Sequence, residues 1–347
     1  MKHAILRFSA AFLLLVLCVS SASAWGGNQG WTYNAGHPIS SSVAVAGGLV
    51  IAGDSGGSLH AVHVASGQAA WIYHGNHKVV GLPAVSGQMV VFAQADGTIT
   101  ALSLADGSVL WRHRPPGEGG VTLMDGAAIG DGKVFYLRAD GSLSALSASD
   151  GQELWTYHTE IGRHSAPNFS DGFVFVGEYR GVFSALNPQT GERDWGGGAG
   201  GPINTPATHD GHVYFSSWDG SVQSVRIAGV IPQWRTNVGE PISTSPFVGN
   251  YGVFVGTVSG LVVALSKADG EIKWSFNTEE GIVSGTPIAA DGLVFVGGGQ
   301  GTLFALDAAS GAVRFTFNTG GGIIGTPAYS GGILFLGSGD GKIYTFL

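Results

Sequence analysis

Cysteine is almost missing from this 347-residue chain, whose single thiol is Cys18. Cys18 stands inside an N-terminal leader, so the remainder has nothing with which to form a disulfide, a zinc thiolate site or a CxxCH haem attachment. Charge is scarce too: Asp, Glu, Lys and Arg make up 12% of residues. Lys2 and Arg7 belong to the leader, and setting them aside moves the formal charge from -8 to -10. Such a surface repels phosphate backbones and anionic lipid, which makes nucleic acid and membrane surfaces poor partners. Beyond the leader no apolar run is long enough for a transmembrane helix, and there is no P-loop.

The leader has a basic start, the apolar run AAFLLLVLCV at 10–19 and ASA at 22–24 before Trp25. It reads as a secretory signal peptide, residues 1–24, cleaved after Ala24 to release a periplasmic or secreted product. Lipoprotein signals place a small residue before the cysteine, and the large Leu17 argues against a lipid anchor at Cys18.

Glycine is what the chain has in abundance, with 59 residues, and the glycines mark a repeat. GSLHAV at 57 recurs as GTITAL at 97, GSLSAL at 141, GVFSAL at 181, GSVQSV at 220, GLVVAL at 260, GTLFAL at 301 and GKIYTF at 341. A second series runs Trp31, Trp71, Trp111, Trp155, Trp195, Trp234, Trp274 and Phe315. A period near 40 residues decides the architecture before any motif does. The eighth glycine element reaches Leu347 before an aromatic anchor of its own, while Trp31 stands unmatched at the other end. A closed ring reconciles the two series, with the strand around WTYN completing the last unit.

Each unit reads as four short antiparallel strands, A to D, joined by Gly-bearing turns that suit tight hairpins. In the seventh unit these are 283–289, 293–297, 302–306 and 312–318. Strand B is apolar throughout (LVIAG, FVFVG, LVFVG, ILFLG), which implies burial on both faces. Pro83, Pro167, Pro206, Pro246, Pro287 and Pro327 recur at the position assigned to strand A. Proline donates no ladder hydrogen bond, so strand A must be an edge strand facing a central channel. The expected fold is therefore all-β: an eight-bladed β-propeller of four-stranded blades over residues 25–347, closed by its N-terminal strand.

The pattern P-x-x-x-D-G, V-F-V-G, D-G-x-L-x-A-L, S/T-G-x-x-x-W resembles the PQQ-like β-propeller repeat. That repeat is shared by quinoprotein alcohol dehydrogenases and by BamB-like lipoproteins of the outer-membrane β-barrel assembly machinery. The resemblance covers all eight units. It implies that Trp31, Trp71, Trp111, Trp155, Trp195, Trp234, Trp274 and Phe315 are structural, each docking its blade on the next.

This fold hosts enzymes and scaffolds alike. A quinoprotein dehydrogenase needs pyrroloquinoline quinone, a Ca²⁺ held by carboxylate and amide oxygens, and a catalytic Asp. Asp125, Glu178 and Asn204 are the available oxygen donors on adjacent blades, but the vicinal disulfide and the long covering insertions of such enzymes are absent. Other signals for metal or catalysis are slight. His60 and His63 are three apart on a strand and point to opposite faces. His209 and His212 flank a turn, and zinc normally takes three or four ligands. His74 and His158 fall where other units have Asn, and GGGAGG at 196–201 reads as a connector. The reading is of a non-catalytic, monomeric protein-binding scaffold with no cofactor or metal, as in outer-membrane protein assembly. The alternatives are a PQQ- and Ca²⁺-dependent dehydrogenase and a secreted module for glycans or small ligands.

The binding face is expected where the repeats disagree. Up-and-down strand order puts the D-to-A connections and B-to-C turns on one rim. Most units place small residues there, whereas units three to five bring Asp125, Arg138, Arg163, His164, Glu178, Tyr179, Arg180, Asn204 and Trp218. Non-repeated charged and aromatic groups on a repeated scaffold are the natural contacts for a partner or ligand.

Overall fold

The computed structural model describes residues 25–115, 126–138, 140–158, 165–281 and 284–347. The leader, Asp125, Arg163 and His164 lie outside the described residues. Within them, eight four-stranded antiparallel sheets form the blades of a β-propeller. In blades 1 to 7 the strands lie side by side in chain order, from inner A to outer D; blade 1 is Ala44–Ala46, Leu49–Gly53, Ser58–His63 and Ala69–His74. Strands B and C form the core, and Phe254, Phe295 and Phe335 of strand B are fully buried. Outer strands alternate: in Ala69–His74 the buried Trp71 stands between exposed neighbours. The sheet faces of B and C are covered on both sides because each blade is sandwiched by two others.

Strand A departs from the sequence expectation. Pro83 lies within its strand, Val79–Ser86, but Pro167, Pro206, Pro246, Pro287 and Pro327 each stand immediately before a three-residue strand. In blade 7 that strand is Ile288–Ala290 and does not reach back over 284–287, while residue 283 of the expected 283–289 lies outside the described residues. Proline's fixed φ and missing N–H set where the inner strand begins, and do not sit inside it. Gly196–Gly198 also differ, being the end of the outer strand Arg193–Gly198 rather than a connector.

The ring closes as the repeat demands. Gln29–Asn34 is the outer strand of blade 8, paired with Lys342–Phe346 through Thr32↔Tyr344, Tyr33↔Ile343 and Asn34↔Lys342. Gly27, four residues before Trp31, has φ 67 and packs under the Phe315 ring, so the N-terminus also supplies the glycine turn that blade 8 lacks at its own end. Trp25 sits edge-on to Phe295 and Phe315 at ring distances of 5.0 and 5.5 Å.

Two devices lock neighbouring blades. The indole N–H of Trp31, Trp71, Trp111, Trp155, Trp234 and Trp274 donates to a carbonyl of the following blade at 2.8–3.0 Å, as Trp274 does to Ala308. Each of these rings lies on a glycine whose missing Cβ makes the close approach possible, as Gly311 does for Trp274. The second device explains the glycine ending strand B. A Cβ on Gly53, Gly177, Gly297 or Gly337 would fall inside Val79, Ile203, Ile323 or Ile39 of the next blade, so the apolar side chain plugs the space the glycine leaves. Trp195 is the exception to the first device. Among the described residues its N–H has no carbonyl partner, and the glycine position opposite it is Val230, with φ 52. A β-branched residue in the left-handed region is strained.

Candidate functional site

The inner strands and the rim that carries the B-to-C turns enclose a cavity of about 1320 Å³ around the axis. Its wall is mostly small: Ser40, Ser42, Ser243, Thr244 and Thr326 come from three different D-to-A connections, and Gly81 from the inner strand Val79–Ser86. Bulk enters from blades 4 and 5. Tyr179 and Trp218 line the cavity yet are 61% and 49% exposed. Both stand two residues before the turn glycine, at Gly181 and Gly220, where the other blades carry Ser55, Ala95, Ala139, Val258, Gly299 and Gly339. Counting from the turn glycine thus makes this pair visible in sequence. Arg180 beside Tyr179 is exposed on the same turn.

The other described rim residues singled out from sequence, Arg138, Glu178 and Asn204, are engaged within the fold. Arg138 is mostly buried and reaches Glu153 at 3.4 Å and Asp140 at 4.0 Å, inside blade 3. The Asn204 side-chain amide donates to Ser216 Oγ at 3.0 Å and to the Ile242 and Thr244 carbonyls at 3.1 and 3.0 Å, tying blade 5 to blade 6. Its position is that of Ser41, Ser165 and Thr244, whose hydroxyls accept from the glycine N–H ending strand B at 2.7–2.9 Å. Blade 5 has Ser216 in place of that glycine, and the longer Asn204 is the matching change.

Glu178 turns into the junction between blades 3 and 4, where Ser184 Oγ donates to it at 3.1 Å. Desolvation holds its carboxyl above the ordinary range, against hydrogen bonds from Ser184 and Tyr157 and the charge of Arg193. A raised folded-state value means the associated stability is full below the unfolded glutamate pKa and is lost as pH rises through the folded one. Replacing Glu178 by Gln is therefore expected to flatten this part of the pH profile, read from urea midpoints between about pH 4 and 7.

A buried polar network at the closure went unread in the sequence. Asp54 and His60 are 0% and 3% exposed, with His60 Nε2 3.0 Å from Asp54 Oδ2 and Nδ1 3.1 Å from the Tyr33 hydroxyl. Tyr33 lies on the N-terminal strand of blade 8, so the network crosses the seam of the ring. His63 is exposed on the opposite face of its strand. His209 Nε2 and His212 Nδ1 each approach Asp210, at 3.0 Å to its carboxylate and 2.9 Å to its carbonyl. Among the described residues no three His, Cys, Asp or Glu side chains converge as metal ligands. Of the three oxygen donors named for a Ca²⁺, Glu178 and the Asn204 amide are engaged within the fold, and Asp125 lies outside the described residues. Among the described residues no helix is long and apolar enough to cross a membrane.

The family described as outer membrane protein assembly factor BamB matches residues 18–167, 139–244, 232–284 and 258–346. The chain belongs to this family. BamB of Yersinia pestis is 25% identical over 133 residues, 35% of this chain and 34% of that protein, so the curated relative is matched over about a third of its length. Among solved structures, BamB from Moraxella catarrhalis superposes with TM-score 0.80 at 20% identity, covering 92% of this chain and 99% of the other. Quinohemoprotein alcohol dehydrogenase from Comamonas testosteroni gives 0.72 at 15% identity, covering 92% and 76%. Saccharomyces cerevisiae Sqt1 gives 0.75 at 13% identity, covering 92% and 98%. These superpositions share the fold across an enzyme, an assembly factor and a eukaryotic protein, and so carry no function by themselves.

Proposed function

We propose that this BamB-family propeller is a non-catalytic, protein-binding scaffold in outer-membrane protein assembly, working in the periplasm after removal of residues 1–24. Family membership over nearly the whole chain is the observation that carries this reading. The rim supports it with a docking patch: Tyr179 and Trp218, on adjacent blades, present two large aromatic surfaces at the channel mouth beside Arg180. Aromatic and Arg side chains dominate binding hot spots, and Tyr and Trp bury much area with few rotors to freeze. No cofactor or metal takes part in this proposal.

The test is capture of the outer-membrane assembly machinery by the purified protein. Changing Tyr179 and Trp218 together to Ala is expected to weaken capture by at least about tenfold. The melting temperature should stay put, because both side chains are exposed. Equivalent changes on the opposite rim, such as Tyr251→Ala, should leave capture intact. Unchanged capture by the double variant would place the partner elsewhere.

A further inference from the structure

Two residues after the aromatic anchor, the outer strands carry Tyr33, Tyr73, His113, Tyr157, Thr236, Phe276 and Phe317. These side chains fill the junction with the next blade. Tyr73 packs on Phe92 at 5.4 Å, Phe276 on Phe304 at 5.4 Å, Phe317 on Tyr344 at 5.5 Å and His113 on Tyr136 at 5.8 Å. Blade 4 has Gly197 instead. Strand register confirms the equivalence, since Phe183↔Gly197 matches Leu59↔Tyr73. Neither conformation nor space requires this glycine: its φ is not left-handed, and a Cβ would meet Phe183 Cδ1 at an ordinary 3.9 Å. The consequence is a cleft of about 390 Å³ between blades 4 and 5, walled by Phe183, Trp195, Phe215, Gln223, Pro232 and Arg235. That size lies at the lower end of the roughly 300–1,000 Å³ range of small-ligand sites.

The junction between blades 1 and 2 shows what the cleft is shaped to hold. There the Arg112 guanidinium lies 5.6 Å from the Tyr73 ring centroid and donates to its hydroxyl at 3.1 Å, while Phe92 meets the ring edge-on. Register places Phe215 where Phe92 stands and Arg235 where Arg112 stands, through Phe92↔Thr100↔Arg112 and Phe215↔Gln223↔Arg235. No other blade has Arg at that position. Arg235 is held by Asp219 at 2.9 Å. Gln223 occupies the position of His60, whose ring nitrogen meets the Tyr33 hydroxyl. The cation and a polar side chain are both present. Phe183, standing where the other blades have Leu, Ile or Val, stacks its ring on Phe215 at 4.9 Å and both are fully buried, so the open part of the cleft is faced by Trp195, Pro232, Gln223 and Arg235.

We propose that the cleft between blades 4 and 5 binds a phenolic ring, with Trp195 and Pro232 against the ring and Arg235 and Gln223 at its hydroxyl. The ring comes from a free phenol or from a tyrosine side chain of another protein. This site is on the flank of the ring, apart from Tyr179 and Trp218, and stands or falls independently of the scaffold reading.

Ligand-observed NMR titration of the full chain with p-cresol, and with toluene as the control lacking the hydroxyl, tests the site. Saturable p-cresol binding, at least about tenfold tighter than toluene, is expected. Gly197→Tyr should abolish it by placing a covalent ring in the cleft, with a melting temperature equal to or above wild type. Gly197→Phe is the second blocking variant, and Gly197→Ala should still bind. Arg235→Gln should bring the preference for p-cresol over toluene close to one. A blocked extended peptide with a central tyrosine then separates the sources. Binding about tenfold tighter than p-cresol assigns a protein ligand, and equal or weaker binding assigns a small molecule. Absence of saturable p-cresol binding, or binding that both Gly197→Tyr and Gly197→Phe leave unchanged, overturns the proposal.

Discussion

Deleting residues 25–36 is expected to destabilise the propeller by several kcal/mol and to lower its urea midpoint sharply. The deletion removes the whole outer strand Gln29–Asn34, leaving Lys342–Phe346 as a bare edge. A closed propeller protects its strand edges, and an apolar edge newly exposed is both unstable and prone to aggregate. Four further losses follow from the same cut. Trp25 leaves its contacts with Phe295 and Phe315, Gly27 leaves the face of Phe315, and Trp31 no longer donates to the Val64 carbonyl of blade 1 at 2.8 Å. Tyr33 is withdrawn from His60, so the buried Asp54–His60 pair loses its third member. Unfilled hydrogen-bonding capacity in a buried site costs about 1–3 kcal/mol on its own. An unchanged midpoint in the truncated protein would show that the ring does not depend on this strand.

Replacing Trp274 by Ala is expected to cost about 3–5 kcal/mol, the usual range for deleting a large buried aromatic side chain. The ring is 9% exposed, lies over Gly311, contacts Phe254 at 5.9 Å and donates to Ala308 at 2.9 Å. Its removal opens a cavity and also breaks the bond that pins blade 6 to blade 7. Trp195→Ala provides an internal comparison. Trp195 packs against Phe173, Phe175 and Phe183 of its own blade, without the inter-blade bond and with an open cleft alongside. The loss there should be clearly smaller. Equal losses from denaturant unfolding of the two variants would mean that the hydrogen bond and the glycine platform contribute little.

The rim and the flank differ in how readable they were. Tyr179 and Trp218 announce themselves once each unit is counted from its turn glycine, because large aromatics replace Ser, Ala, Val and Gly at one repeat position. Glu178, Arg138 and Asn204 look alike in sequence, as polar departures from the same repeat. Only coordinates separate them, because a side chain at a turn can face either the channel or the neighbouring blade. The Gly197 cleft has the opposite character. Its signal is an absence, and in a chain with 59 glycines one more attracts no notice until its counterparts are seen filling the same junction.

By itself the sequence determined the eight-fold repeat, the four-stranded unit, the burial of strands B and C and the closure by the N-terminal strand. Those follow from local rules: period-2 and all-apolar strands, glycine turns with positive φ, and a count of units that balances only in a ring. Tertiary structure alone decided what happens between blades. Whether Tyr33 meets His60, whether Asn204 reaches the Thr244 carbonyl and whether Arg235 faces an open cleft depend on residues some 27 to 40 positions apart meeting across a junction. Such meetings are set by register and blade spacing, which no single repeat encodes, and the physical reason is that packing between sheets is a property of pairs of blades.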